Sequence, residues 1–364
     1  MNQRFHLTRR VRVAFALTAV TAGLATQAHA AGVNVWVTGD SYAEELDLFG
    51  GSFFTTTINY QGPGTGTTGW TGNDAFSLAL TGSNVYVGDA GAGTIYKYAL
   101  GSTGASAKFT LPSFTAGMDP QEIALDTSGN LYTADYNGVI NGYSSSASSG
   151  ATGGQIQTLP GARGILVDGS KTYVDVEGAY GSFTLDSFTT GGTGSVTGHT
   201  YTEGSTGTTA VTCTSGECGQ VRGMAVNGNT LYLADSTWTN GGGQIDEINL
   251  TTFALTVLTL SNTTEFDDPN GIALDASGDI YVADYGSGYI TEYGSTGTFI
   301  EDWNVGGHPQ DVLLSGSQGN GTAEDPVFFT SAVPEPGTAP LLLIGFGLLA
   351  AAGFGRKKFL GARS

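Results

Sequence analysis

Six residues occupy one recurring place in this chain, and together they could hold an anion. Phe76, Gln121, Arg163, Arg222, Asn270 and Gln310 each stand just before a short strand that alternates large and small side chains, as in Ile272-Ala273-Leu274. If those strands converge on one axis, the six side chains ring a common opening. Two of the six are arginines, whose planar guanidinium groups present several fixed donors. That chemistry suits a carboxylate-bearing or hydroxyl-rich ligand such as an acidic sugar, with Gln121, Arg163, Arg222, Asn270 and Gln310 as its binding residues. The plainer alternative is that each arginine neutralises a nearby acid such as Asp119 or Asp268.

Other chemistries find less support. The chain has four histidines; His6 and His29 lie near the start, and only His199 and His308 remain in the body, too few for a three-histidine zinc site. Cys213 and Cys218 are close in sequence within a Gly- and Thr-rich stretch, where a local disulfide is expected of an exported protein. There is no Gly-x-Ser-x-Gly elbow and no phosphate-binding loop. Asp89, Asp135, Asp235 and Asp284 recur after the second strand of each unit, which points to acids accepting turn N–H groups. A metal centre needs ligands that break the repeat. No catalytic residue is assigned and no cofactor is expected; a divalent cation such as calcium stays open, its ligands unknown.

Composition narrows the partners. Of 364 residues, 13 are Lys or Arg and 32 are Asp or Glu, a formal charge of −19. Between Ala31 and Ala332 the basic residues are Lys97, Lys108, Arg163, Lys171 and Arg222, against thirty-one acids. So acidic a body repels phosphate backbones, which excludes nucleic acid as a partner. At 40% hydrophobic residues it can still bury a core.

The elements that must position the ring come from internal repetition. Asn270-Gly271-Ile272-Ala273-Leu274-Asp275, Ile280-Tyr281-Val282-Ala283-Asp284 and Tyr289-Ile290-Thr291-Glu292-Tyr293 form the clearest unit. Related units begin at Ser77, Glu122 and Gly223, with a weaker one at Gly164 and a partial one at Asp311 that includes Val327-Phe328-Phe329. Each reads as three short strands with a Thr- or Ser-rich fourth, separated by turns such as Asp126-Thr127-Ser128-Gly129. The expectation is an all-β propeller of six blades, each of four antiparallel strands. The stretches at Asn34–Val37, Leu46–Phe49 and Phe53–Thr56 lack a first strand, and the Asp311 unit lacks outer ones. They are expected to share one closing blade; seven blades is the alternative, if the N-terminal strands form a sheet of their own. The stretches 144–154 and 189–217 read as Gly-, Ser- and Thr-rich connections, the second an extra hairpin or a mobile flap.

The segment from Asp268 to Tyr293 resembles NHL-type propeller repeats. The peptide-amidating lyases that share such repeats use zinc, for which the histidines here are too few. Gluconolactonase and regucalcin-like propellers hold a divalent ion with a Glu, Asn residues and an Asp. That likeness implies at most one matching ligand here, Asn270.

Both ends read as addresses. Arg4, Arg9, Arg10 and Arg12 precede an apolar run from Val13 to Leu24 and the small-residue site Ala28-His29-Ala30, the pattern of a signal peptide over residues 1–30 cut by signal peptidase. At the other end, Pro334-Glu335-Pro336, an apolar stretch from Ala339 to Gly355 and the basic Arg356-Lys357-Lys358 resemble the PEP-CTERM sorting signal of Gram-negative bacteria, over residues 333–364. The resemblance implies transient inner-membrane insertion, processing by an exosortase, and release or transfer of the body, residues 31–332, to the cell surface or exterior. The expected function is a non-enzymatic recognition or structural component of the surface or exopolysaccharide matrix, with extracellular polysaccharide or another surface protein as partner. The alternative is a secreted propeller enzyme of the lactonase or lyase type, using a divalent metal in the central channel.

Overall fold

The computed structural model describes residues 34–39, 42–47, 55–59, 75–91, 93–99, 109–112, 120–147, 153–177, 182–192, 194–202, 218–237, 242–263 and 266–314. The segments 1–30 and 333–364, Asp119, Cys213 and Val327-Phe328-Phe329 lie outside them.

Every described element is a strand. Three come first: β1 (Asn34–Gly39), β2 (Tyr42–Asp47) and β3 (Thr55–Asn59). Five meandering sheets follow. The first holds β4 (Ala75–Thr81), β5 (Asn84–Asp89), β6 (Thr94–Ala99) and β7 (Phe109–Pro112). The second holds β8 (Pro120–Leu125), β9 (Leu131–Asp135), β10 (Val139–Tyr143) and β11 (Gly154–Thr158). The third holds β12 (Ala162–Asp168), β13 (Lys171–Glu177), β14 (Ser182–Thr189) and β15 (Thr197–Thr202). The fourth holds β16 (Cys218–Asn227), β17 (Thr230–Thr237), β18 (Gly243–Asn249) and β19 (Leu255–Val257). The fifth holds β20 (Pro269–Leu274), β21 (Ile280–Asp284), β22 (Tyr289–Tyr293) and β23 (Phe299–Asn304). The last strand, β24 (Pro309–Leu314), pairs with β1, giving a sheet in the order β24-β1-β2-β3.

All pairings are antiparallel, and the six four-stranded sheets are consistent with a six-bladed propeller. Among the described residues the N-terminal strands share their sheet with β24, the composite arrangement expected of the six-blade reading. Sharing one sheet between the first and last described strands satisfies the first strand's backbone groups, which would otherwise form an open edge. The stretch 189–217 is also corrected in part: Thr197–Thr202 is the outer strand β15, paired with β14.

Packing explains why the sheets need one another. Apolar residues gather in clusters that each bridge two neighbouring sheets. Tyr173, Phe183 and Leu185 of the third sheet meet Met224, Leu233 and Ile248 of the fourth. Val35, Val37 and Val312 of the composite sheet meet Tyr281, Ile290 and Trp303 of the fifth, and Trp36 and Leu313 on its other face meet Leu78, Val87 and Tyr98 of the first. Each sheet therefore buries both faces only inside the ring. The innermost strands β4, β8, β12, β16, β20 and β24 pack in sequence, and β24 packs on β4 to close the circle.

The expected turns form as their residues dictate. Asp126 Oδ1 accepts the N–H groups of Ser128 at 2.9 Å and Asn130 at 2.8 Å, while Gly129 takes a positive φ of 77°. Its other oxygen accepts from Asn130 Nδ2 at 2.7 Å and from the Tyr132 hydroxyl at 3.0 Å. Asp275 repeats the arrangement with Ser277 and Asp279, both at 2.8 Å. Replacing Asp126 by Ala strands several donors, and the expected loss is about 1–2 kcal/mol, read as a lower denaturant midpoint with unchanged m-value.

Candidate functional site

The six ring residues share a backbone feature. Each falls at a register shift between the innermost strand and its partner: Phe76 between Ala75 and Ser77, Gln121 between Pro120 and Glu122, and Asn270 between Pro269 and Gly271. Arg163 lies in the shift between Ala162 and Ile165, Arg222 in that between Val221 and Met224, and Gln310 is skipped between Pro309 and Asp311. These residues are within the strands, a correction to their expected place just before them. The bulge supplies the reason they project: an extra residue is left without a partner and its side chain is re-aimed.

The structure brings four of them together. Asn270 Nδ2 donates to Gln310 Oε1 at 2.8 Å, and Arg222 Nη1 reaches the same oxygen at 3.5 Å. The Arg222 guanidinium carbon also lies 5.5 Å from the centroid of the Phe76 ring. Arg222 is on β16 and Phe76 on β4, three sheets apart in either direction, so their contact spans the centre of the ring. Arg163 is occupied differently. Its Nε donates to Glu177 Oε2 at 2.6 Å, and its guanidinium covers the Tyr136 ring at 4.8 Å. Gln121 keeps the same bulge position and is buried. The acid that pairs with Arg163 is thus Glu177 and not Asp268, while Asp119 lies outside the described residues.

Arg222 is the unusual member. Its Nε is buried without a hydrogen-bond partner, and among the described residues it has no ion pair. Burial, and then the facing Arg163 charge, pull its guanidinium below the ordinary range; Asp268, Tyr285 and Glu177 oppose that shift. Asp268 is itself pushed up by burial, against a Ser236 hydrogen bond and the Arg222 charge. It also holds a φ of 108°, a strained value for a residue with a Cβ, in the turn that delivers Asn270.

Sequence reading missed the rim. Tyr136 and Tyr285 follow the recurrent Asp135 and Asp284, and Glu177 ends β13 at the corresponding place. Tyr136 is 52% exposed. Tyr285 stacks on His308 at 4.5 Å, and His308 Nδ1 lies 2.9 Å from the Tyr285 carbonyl. The residue after each recurrent aspartate was the available signal. Two of the aspartates accept turn N–H groups as expected: Asp135 Oδ1 accepts Asn137 N–H at 2.9 Å, and Asp284 accepts from Ser287 and Asp267 at 3.0 and 2.6 Å.

The donor set does not fit a divalent cation. Two guanidinium groups share the ring, and Gln310 Oε1 already faces two N–H donors. Among the described residues no group of three or more His, Cys, Asp or Glu side chains could hold a metal ion. Cys218 begins β16, whereas Cys213 lies outside the described residues.

Residues 266–291 match the NHL repeat, and residues 332–358 match the PEP-CTERM protein-sorting motif. The chain carries an NHL repeat and a PEP-CTERM sorting motif. The motif implies export and cell-surface sorting of this NHL-type propeller, with processing by an exosortase. No curated protein matches it in sequence. Among solved structures it is similar to a protein of unknown function from Bacteroides caccae, with TM-score 0.54, 11% identity, and coverage of 78% of this chain and 98% of that one. The periplasmic gluconolactonase of Pseudomonas aeruginosa has TM-score 0.50, 14% identity, and coverage of 78% and 99%. A streptogramin B lyase has TM-score 0.48, 12% identity, and coverage of 76% and 88%. At these identities the likeness concerns fold alone.

Proposed function

We propose that this NHL-type propeller is a non-enzymatic recognition component of the cell surface or extracellular matrix, and that its ring of bulge residues captures a carboxylate-bearing saccharide. The N-terminal segment 1–30 acts as its cleaved signal peptide, and Cys213 and Cys218 form a local disulfide in the oxidising exterior. One observation carries the reading. In a body with thirty-one acids and five bases, Arg222 faces a second guanidinium and has no ion pair among the described residues, and the Asp268 and Glu177 charges offset that repulsion only in part. A cation left so exposed to a like charge is stabilised when an anion bridges the two. Asn270 and Gln310 offer hydrogen bonds to hydroxyl groups, and the exposed Tyr136 ring offers a flat apolar face for a pyranose.

Calorimetric titration of the full chain with a galacturonic-acid trimer tests this, with a neutral galactose oligomer as control. Arg222→Gln removes one charge-assisted contact, so affinity should fall roughly 10- to 100-fold while the neutral oligomer binds poorly to both proteins. Equal affinity of the variant and the parent would remove the site. The lactonase alternative shares only the fold of the gluconolactonase. Metal-dependent turnover of a sugar lactone by the purified protein would replace the recognition reading with that one.

A further inference from the structure

Four of the second strands end on a common pattern: a small residue, then an aspartate, then a rim residue. Gly88, Ala134, Ala234 and Ala283 hold the small position, followed by Asp89, Asp135, Asp235 and Asp284. β13 breaks it. Pairing of Ala162 with Val176, and of Ile165 with Val174, sets Val176 where those strands have their aspartate. Asp175 then falls where they have Gly or Ala, directly across from the bulge that carries Arg163. The only sheet with an acid at that position is also the one whose bulge arginine holds a salt bridge among the described residues.

Asp175 is 0% exposed, and among the described residues neither of its carboxylate oxygens has a hydrogen-bond partner. An acid in that condition destabilises a fold; four of the other sheets have glycine or alanine there, and the composite sheet has Thr38. The surrounding charges are few. β12 presents Arg163, β13 itself presents Glu177, β14 presents Asp186, and β16 of the next sheet carries Arg222. Burial raises the proton affinity of Asp175 well above that of an ordinary carboxylate, Glu177 and Asp186 add to the rise, and Arg163 opposes it.

We infer that Asp175 is the proton-binding residue of the anion site, so that capture of a carboxylate at the ring takes up one proton from solvent. The inference rests on the reading of the ring as an anion site. With Asp175 ionised, Arg163 already faces Asp175 and Glu177, and an incoming carboxylate would be a third negative charge around it in a desolvated space. Protonation of Asp175 removes one of them, so the neutral form is the one that accepts ligand. Affinity for the acid ligand therefore falls as pH rises through the titration of Asp175, by at most about tenfold per pH unit for a single linked proton.

The experiment is calorimetric titration of the full chain with the galacturonic-acid trimer from pH 5 to pH 8, in buffers of different ionisation enthalpy, which counts protons taken up on binding. The parent should take up close to one proton over part of that range and bind more tightly at its acidic end. Asp175→Asn should bind with a flat pH profile and no uptake. Asp268→Asn, beside Arg222, and His308→Gln, beside Asp268, should keep the uptake. Uptake that persists in Asp175→Asn, or that disappears in His308→Gln or Asp268→Asn, overturns the inference, as does pH-independent binding by the parent. Failure of the trimer to bind at any pH overturns the anion site itself and the inference with it. A stability readout separates this role from a structural one. Asp175→Ala, which restores the residue of the neighbouring blades, should raise the melting temperature at pH 7.5 by several degrees, on the order of 2–6 °C. A lowered melting temperature would mark Asp175 as part of the fold's support and count against it.

Discussion

Replacing Gly271 by Ala is expected to lower stability by about 3–4 kcal/mol. A Cβ at Gly271 would sit 2.5 Å from the Asp311 Cα and 2.8 Å from the Val312 nitrogen. Both are backbone atoms of the next innermost strand, so no rotamer change relieves the clash. Gly223 stands in the same relation to the Asn270 carbonyl, at 2.5 Å. The two strands would have to part, and because β24 joins the N-terminal strands to the ring, parting there strains the closing sheet as well. Chemical denaturation checks this. A Gly271→Ala protein within about 1 kcal/mol of the parent would mean that the innermost strands are spaced more widely than described.

Stability should fall by about 2–4 kcal/mol between pH 5 and pH 8. The source is buried carboxyl groups. Asp311 is fully buried and pushed up to about 7, although the N–H groups of Leu78 and Val312 donate to it, both at 2.8 Å. Asp284 is pushed up to about 6 by burial, against its backbone hydrogen bonds. Both titrate near 3.8 in the unfolded chain. The folded protein therefore binds more protons than the unfolded one between about pH 4 and pH 7. The stabilising contribution of these groups is fully present at the acidic end of that window and is lost as pH rises through the folded values, with no further change above. Repulsion within an acidic body acts in the same direction. Urea midpoints measured at pH 5, 6, 7 and 8 should decline and then level off, and Asp311→Asn should flatten the decline between pH 5 and pH 7. A midpoint that rises with pH would show that hydrogen bonding to these carboxylates outweighs their burial.

Much of the architecture was legible because repetition amplifies weak local signals. A lone Ile-Ala-Leu run could be strand or helix. Recurring before a Tyr-Val-Ala-Asp run and after a turn, it could only be the inner strand of a small sheet that needs neighbours on both faces. The turn acids Asp126 and Asp275 were readable for the same reason, since their bonds reach only two to four residues along the chain. The ring was found by alignment, yet its backbone origin was not. A bulge is a mismatch between two paired strands, and nothing in either strand alone announces it.

The rim and the buried acid were harder still. Tyr136 and Glu177 matter because Arg163 lies between them, a meeting set by the register of β12 on β13 and the approach of the second sheet to the third. Asp175 looks like one more acid in an acidic chain until that register moves it one place from the turn aspartates and into the interior.

Local sequence alone determined the strands, their turns, the common ring position and the sorting motif at the C-terminal end, because each depends on neighbours a few residues away. Tertiary structure decided which side chains face one another across the ring, which arginine forms an ion pair among the described residues, and which carboxyl groups lose water. Those outcomes depend on distances between sheets and on burial, and both exist only once the ring has closed.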